Sequence, residues 1–321
     1  MKIEKICVLG GTGFVGAHLV ARLVNLGYSV RVPTRRRERH RNLLVMPQVE
    51  LRQLDGLSPQ SLQSQLAGCD AVINLIGILN GTEAAFQKLH AELPAAIVEA
   101  CQAVGVQRYL HMSALNADAE NGPSIYLRTK GAGEDAAHAG AAQGLLVSSF
   151  RPSVIFGPDD QFFNRFATLL KVAPVLPLAC PEARFAPVYL DDVVKAFVAA
   201  LERPETVGQR YELYGPKVYT LRELVQYTAQ MIGRRRLVWG LSDKLSRLEA
   251  KIMGSTLRWL PGGPPLSLDN YQSMQVDSVG QSDGLAALGI TPRSVESVMP
   301  KYFGGELSRL RYNELRRDSR R

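Results

Sequence analysis

The sequence has few cysteines, no membrane-length apolar run and no repeat, and each lack closes off a class of protein. Its four cysteines, Cys7, Cys69, Cys101 and Cys180, are scattered with no Cys-x-x-Cys spacing. That excludes a disulfide framework and a zinc site, and reads them as buried thiols of a reducing compartment. No apolar run reaches the roughly 18 residues that a membrane span needs. No targeting segment precedes the first apolar run, which begins almost at Met1; the expected location is cytoplasmic, with peripheral contact at the inner membrane as the alternative. No histidine pair or carboxylate cluster stands at metal-ligand spacing, so no metal is expected. Low-complexity segments are also absent.

What is present is a chain of 321 residues, 46% hydrophobic and 21% charged. This is the composition of a globular protein that can bury a full core, in one large domain or two ordinary ones. A net charge of +8 favours an anionic ligand, an acidic surface or an acidic partner.

Strand and helix patterns alternate through the first half. Apolar runs at Ile3–Leu9, Tyr28–Val32, Val49–Asp55, Ala71–Gly77, Arg108–Ser113 and Leu145–Arg151 read as strands. The intervening Phe14–Leu26, Ser61–Ala67, Phe86–Val104 and Tyr126–Ala142 read as helices, with a kink expected at Pro94. The nearly continuous apolarity of Ala71–Gly77 is that of a parallel strand buried on both faces. The fold expected is α/β, a Rossmann doubly wound parallel sheet with a smaller C-terminal α/β substrate-binding domain. Residues 1–155 form the nucleotide-binding domain, to which the chain returns at about 187–215. Residues 156–186 and 216–305 form the smaller domain, and 306–321 a basic tail. Asp191-Asp192 is expected to cap a helix running to Glu202, and Thr220-Leu221-Arg222-Glu223 to form a capping box. Pro261–Pro265 reads as a hard break. The stripe Leu241, Leu245, Leu248 and Ile252 reads as core of the smaller domain, with a cleft lining shared with Phe162, Phe163 and Phe166 as the alternative.

Two constellations carry chemistry. The first is Gly10-Gly11-Thr12-Gly13-Phe14-Val15-Gly16, directly after the first strand and opening a helix. Gly10 and Gly13 allow a tight turn and close approach to a pyrophosphate. Gly16 allows close helix packing, and the helix N-terminus offers N–H groups to the phosphates. At the end of the second strand, where selection of NAD wants a carboxylate, stand Thr34-Arg35-Arg36, with no acid before Glu38. Arginine forks suit a phosphate, so NADP(H) is expected, with NAD(H) as the alternative; the bland reading of Arg35 and Arg36 is a solvated basic loop.

The second constellation is Ser113, Tyr126 and Lys130. Tyr126 and Lys130 stand four apart on one helix face, and Ser113 ends the fifth strand at the carboxyl edge, where open α/β sheets bind ligands. A free tyrosine titrates near pH ~10; bringing it to neutrality takes about 4 kcal/mol of electrostatic help, part of it from Lys130. Ser113 would orient a carbonyl or hydroxyl. His90 reads as a structural histidine, with a proton relay as the alternative; His111 reads as packing.

These residues resemble the extended short-chain dehydrogenase/reductase superfamily in its atypical branch, that is, the NAD-dependent epimerase/dehydratase group. Gly10–Gly16, Asp55, Asn74–Gly77, Ser113-Ala114-Leu115 and Tyr126–Lys130 fall in that order. Phe150–Phe166, Pro187–Val193 and Leu266–Tyr271 are similar to the NAD(P)H-binding 39 kDa-type accessory subunits of respiratory complex I and their free-standing bacterial relatives. The resemblance implies that Gly10, Thr12, Gly13, Phe14, Val15 and Gly16 hold the pyrophosphate. It places Asp55, Gly56 and Leu57 at the adenine, Asn74, Leu75 and Gly77 by the adenosine ribose, and Pro152, Ser153 and Val154 near the nicotinamide. The bland readings are a solvated turn for Asp55 and a satisfied strand-end polar group for Asn74. The chemistry implied is Tyr-assisted hydride transfer on a carbonyl, an alcohol or a quinone- or lipid-like small molecule. The alternative is a non-catalytic, nucleotide-stabilised subunit or assembly partner of a respiratory or ubiquinone-biosynthesis complex. The arginines of the tail and Trp259 would then contact an acidic partner or membrane surface. Nucleic-acid binding is not expected, because aromatics are not interleaved with the arginines.

Overall fold

Apolar strands that alternate with amphipathic helices can bury both faces only by stacking in parallel between two helical layers, and the chain does so. The computed structural model of the protein describes residues 2–256 and 266–303. Its main sheet contains β1 (Lys5–Leu9), β2 (Ser29–Thr34), β3 (Val49–Gln53), β4 (Ala71–Asn74), β5 (Arg108–Met112) and β6 (Leu146–Pro152). A seventh strand, formed by Arg210–Leu213, pairs with β6, and every pairing is parallel. The strand order 3-2-1-4-5-6, extended by the seventh strand, is the doubly wound arrangement, whose topological switch lies between β1 and β4.

The flanking helices include α1 (Phe14–Asn25), α2 (Pro59–Leu66), α3 (Leu93–Val104) and α4 (Ile125–Ala139). One sheet face packs Leu19, Val20, Leu23, Val193 and Phe197; the other packs Leu62, Leu66, Ile97 and Cys101. All four cysteines carry free thiols, three of them buried.

The helix expected at 86–104 is not a single kinked rod. A π-helical segment, Gln87–Glu92, runs into α3 just before Pro94. Pro94 has no N–H to offer the carbonyl four residues back, on His90, so the ladder widens there. That carbonyl lies against Gly133 of α4, where a Cβ would fall 1.7 Å from it.

Beyond β6 a second core forms around Phe156, Phe163, Leu170, Leu224 and Val238. It is built on α5 (Phe163–Val172) and α7 (Leu221–Met231); between them α6 (Leu190–Glu202) packs on the main sheet, and α8 (Asp243–Thr256) and α9 (Leu268–Ser273) follow. The Thr220/Glu223 capping box opens α7 as expected. Asp191 and Asp192 do not cap α6 with their side chains. They are taken instead by Arg293, whose backbone N and Nη2 lie 2.9 and 2.8 Å from Asp192 oxygens. A guanidinium fork satisfies a buried carboxylate more fully than lone helix N–H groups.

Three other expectations are corrected. Phe163 is fully buried and lines no cleft. Leu245, Leu248 and Ile252 are about half exposed rather than core. Leu285 and Leu288, expected in the smaller domain, join the core of the main sheet, because Glu212 at the end of the seventh strand accepts the N–H groups of Gln281 and Ser282. The Pro261–Pro265 break, Trp259 and the arginines of the tail lie outside the described residues.

Candidate nucleotide site

The glycine turn closes over the carboxyl end of β1. Gly10 takes φ +80°, a left-handed conformation that favours glycine, and a Cβ there would sit 3.1 Å from the Leu75 carbonyl carbon. Gly13 N donates to Gly10 O at 3.0 Å. A Cβ on Gly16 would lie 2.2 Å from Gly10 O and 2.7 Å from Gly11 Cα; α1 therefore packs on the turn itself, closer than any side chain permits. The first-turn N–H groups of α1 have no intrahelical acceptor, and no acidic side chain stands in that turn. The result is a turn, or cradle, with no room for side chains, beside a helix N-terminus of the polarity that suits an anion.

Around this cradle the strand ends supply the remaining expected residues. Arg35 and Arg36 follow β2 and are exposed. Asp55 and Gly56 follow β3, also exposed, with Leu57 half-buried. Asn74 is buried: its Oδ1 accepts from Ile76 N at 3.1 Å, and its Nδ2 lies 3.4 Å from Tyr109 Oη. It holds the turn after β4 and leaves the backbone of Leu75 and Ile76 beside Gly10.

Contacts run from that turn to the helix of the second constellation. Ile78 N donates to His90 Nε2 at 3.0 Å, and His90 Nδ1 lies 3.2 Å from Thr129 Oγ1. The His90 ring meets Tyr126 edge-on at 5.4 Å. Burial and the Lys130 ammonium push His90 down to about 3, so it is a neutral spacer with both ring nitrogens engaged.

Tyr126 and Lys130 share a face of α4, and Ser113 has a hydrogen-bond partner of its own. Its hydroxyl donates to Glu134 Oε2 at 3.0 Å. Glu134 is fully buried and also takes Arg151 Nε at 2.8 Å and the Ser149 hydroxyl. Tyr126 packs against the apolar cluster of Ala114, Ala117 and Leu127. Lys130 Nζ donates to the Met112 carbonyl at the end of β5; burial lowers it to about 8, which leaves it largely protonated at pH 7. Tyr126 is pushed up to about 12, by burial first and then by the Asp269 carboxylate. That direction is opposite to the lowered value expected for a phenolate. Ser153 is likewise committed, donating to Ser278 O at 2.8 Å; Pro152 and Val154 flank it half-buried.

Two residues missed from the sequence organise this site. Glu134 lies one turn beyond Lys130 on the same face, and the i, i+4, i+8 spacing was its signal. Asp269 is the other: it accepts Ile125 N at 2.7 Å and Tyr126 N at 3.3 Å, while its neighbour Asn270 donates to Leu79 O at 3.1 Å. Among the described residues, no cluster of three His, Cys, Asp or Glu could hold a metal ion, and no helix is long and apolar enough to cross a membrane.

A parallel sheet with a glycine cradle at its switch point and a Tyr-Lys helix beside it defines a nicotinamide-nucleotide-binding protein of the Rossmann class. The chain belongs to the NAD dependent epimerase/dehydratase family, whose model matches residues 6–214. It is 30% identical over 298 residues to the mitochondrial NADH dehydrogenase [ubiquinone] 1 alpha subcomplex subunit 9 of Mus musculus, covering 90% of this chain and 77% of that one. It is also 30% identical over 242 residues to a ceramide reductase of Caulobacter vibrioides, 74% of each chain. Among solved structures, MoeE5 in complex with UDP-glucuronic acid and NAD superposes with a TM-score of 0.68 at 21% identity, over 93% of this chain and 97% of that one.

Proposed function

We propose that this protein binds NADP(H) and reduces a carbonyl of a hydrophobic, lipid- or quinone-like molecule, with Tyr126 as the proton donor. The observation that carries the reading is Tyr126 and Lys130 on one helix face, joined through His90 and the 74–78 turn to the glycine cradle. The cradle fits a dinucleotide: its glycines leave no room for side chains, and α1 presents its N-terminus there. Gly10–Gly16 would hold the pyrophosphate, Arg35 and Arg36 the additional phosphate of NADP(H), and Lys130 the ribose hydroxyls. Asp55, Gly56 and Leu57 would meet the adenine, and Pro152 and Val154 the nicotinamide end.

When bound, the reduced cofactor supplies hydride; the chain supplies the proton and the positive field. A tyrosine held near 12 is protonated at pH 7, as a donor to a developing alkoxide must be. The Lys130 ammonium supports the negative charge left on the phenolate oxygen. The Ser113 hydroxyl, expected to orient the carbonyl, donates to Glu134 instead. The name of the Caulobacter relative, ceramide reductase, supports a lipid-like substrate.

A second reading, a nucleotide-stabilised subunit or partner of a respiratory or ubiquinone-biosynthesis complex, is favoured by the commitment of Ser113 to Glu134 and by the kinship to complex I subunits. The two separate in one experiment. The reductase reading expects NADPH oxidation with long-chain ketone or quinone acceptors, lost in Tyr126→Phe with nucleotide affinity kept. NADPH that stays bound and unoxidised with every acceptor sinks that reading and leaves the subunit. Arg35→Ser with Arg36→Ser tests the cofactor: NADPH affinity falls while NADH affinity holds, and a parallel loss of both refutes the phosphate assignment.

A further inference from the structure

Away from the nucleotide cleft, the smaller domain contains a two-stranded parallel sheet formed by Val175–Leu178 and Leu237–Gly240. Strand alternation splits it into two faces. Leu176, Leu178 and Val238 are buried in the domain core. On the other face, Leu237 stands in register with Val175, and Trp239 with Pro177. Leu237 and Trp239 are 63% and 62% exposed, and Val172, just before this sheet, is 83% exposed. A strand pair normally turns polar residues to water on its outer face; this one presents aliphatic groups and an indole.

The cations around it are as one-sided as the apolar face. Residues 165–180 and 227–242 together contain Arg165, Lys171, Arg234, Arg235 and Arg236 and no Asp or Glu. Arg236 donates through Nε to Leu170 O at 2.7 Å and through Nη2 to Lys171 O at 3.3 Å. That tie fixes the arginine turn beside Val172 at the end of α5. Lys171, Arg234 and Arg235 are themselves exposed.

We propose that this face docks on an anionic lipid bilayer, with Trp239, Leu237 and Val172 entering the interface and Arg234, Arg235 and Lys171 meeting lipid headgroups. Indole rings settle at the boundary between headgroup and hydrocarbon, and lysines and arginines near a negatively charged leaflet add to the attraction. An apolar patch flanked by Lys171, Arg234 and Arg235, with the exposed acid Glu182 near Gly240 paired to Arg222, satisfies both parts of interfacial binding, the apolar and the electrostatic. A second copy of the chain is a poorer occupant, since a two-fold contact would set the same cations against each other.

The test is sedimentation of the full chain with vesicles of phosphatidylcholine alone and of phosphatidylcholine mixed equally with phosphatidylglycerol. Binding is expected to the mixed vesicles, weakly to the neutral ones, and to fall as salt is raised. Arg234→Ser with Arg235→Ser should weaken binding to the mixed vesicles roughly thirtyfold at low salt, and Leu237→Ser with Trp239→Ser roughly tenfold or more. All four side chains are exposed or partly tied only at the surface, so both variants should keep the wild-type urea midpoint and nucleotide affinity. Three results overturn the proposal: no binding of the wild type to anionic vesicles, equal binding by both variants, or a wild-type dimer in sedimentation velocity that Trp239→Ser dissociates while no vesicle binding occurs.

Discussion

Replacing Ser113 by alanine separates a catalytic serine from a structural one. Ser113 Oγ lies 3.0 Å from Glu134 Oε2, in a pocket where Glu134 has no exposure at all. A hydrogen bond to a charged acceptor contributes about 1.5–3 kcal/mol. The lower end applies here, because the carboxylate keeps Arg151 Nε at 2.8 and 3.0 Å and the Ser149 hydroxyl. Ser113→Ala should therefore cost about 1.5 kcal/mol in urea unfolding, roughly a tenfold shift in the folded-to-unfolded ratio. Titration of NADPH should find affinity within about twofold of the wild type, since the Ser113 hydroxyl is engaged by Glu134. Any NADPH-dependent turnover should also persist. The reasoning is refuted if Ser113→Ala abolishes turnover more than about a hundredfold while stability is unchanged. That outcome would mean the hydroxyl serves substrate rather than Glu134.

Two further predictions follow from the same geometry. Burial and Lys130 hold His90 at about 3 in the folded protein, below an unfolded value near 6.5. The folded state thus binds fewer protons, and the stability contributed is complete above about pH 6.5 and is lost as pH falls toward 3. By pH 5 the loss is about 2 kcal/mol; His90→Gln should remove that share of the pH 7-to-5 slope in urea titrations, and equal slopes would contradict it. Gly16→Ala should cost about 1–3 kcal/mol and loosen NADPH more than about tenfold, since its Cβ would lie 2.2 Å from Gly10 O. Gly13→Ala, whose Cβ would meet only that same oxygen at 3.3 Å, should cost less than about 1 kcal/mol in stability; calorimetric titration and urea melts check both, and equal stability losses would refute the packing argument.

The Rossmann sheet was legible because its strands carry their own signature. A parallel strand covered on both faces must be apolar throughout, as Ala71–Ile73 is, and a helix must follow it to cross over. The glycine cradle was legible for a similar reason: three glycines at that spacing after a strand have few other uses. The partner of Ser113 was not legible because a serine at a strand end gives no hint of which side it faces, and a shift of one residue exchanges the faces. Here Ser113 meets Glu134. The carboxylate that decides this was visible at helical spacing from Tyr126 and Lys130, had the face been followed one turn further.

Asp269 was beyond reach for another reason. It stands 143 residues from Tyr126, and its role exists only once α9 has folded against α4. There it accepts N–H groups at the start of α4, beside the cap that Ser124 already makes to Leu127 N, while Ser273 Oγ donates to Ser124 Oγ at 2.7 Å and Asn270 holds Leu79 O. One short helix of the smaller domain thus grips both the turn after β4 and the helix that carries Tyr126. The same carboxylate that anchors Tyr126 also helps keep it protonated. Position and protonation of the proposed donor are therefore set together, from a segment that a reading of the first domain alone leaves out.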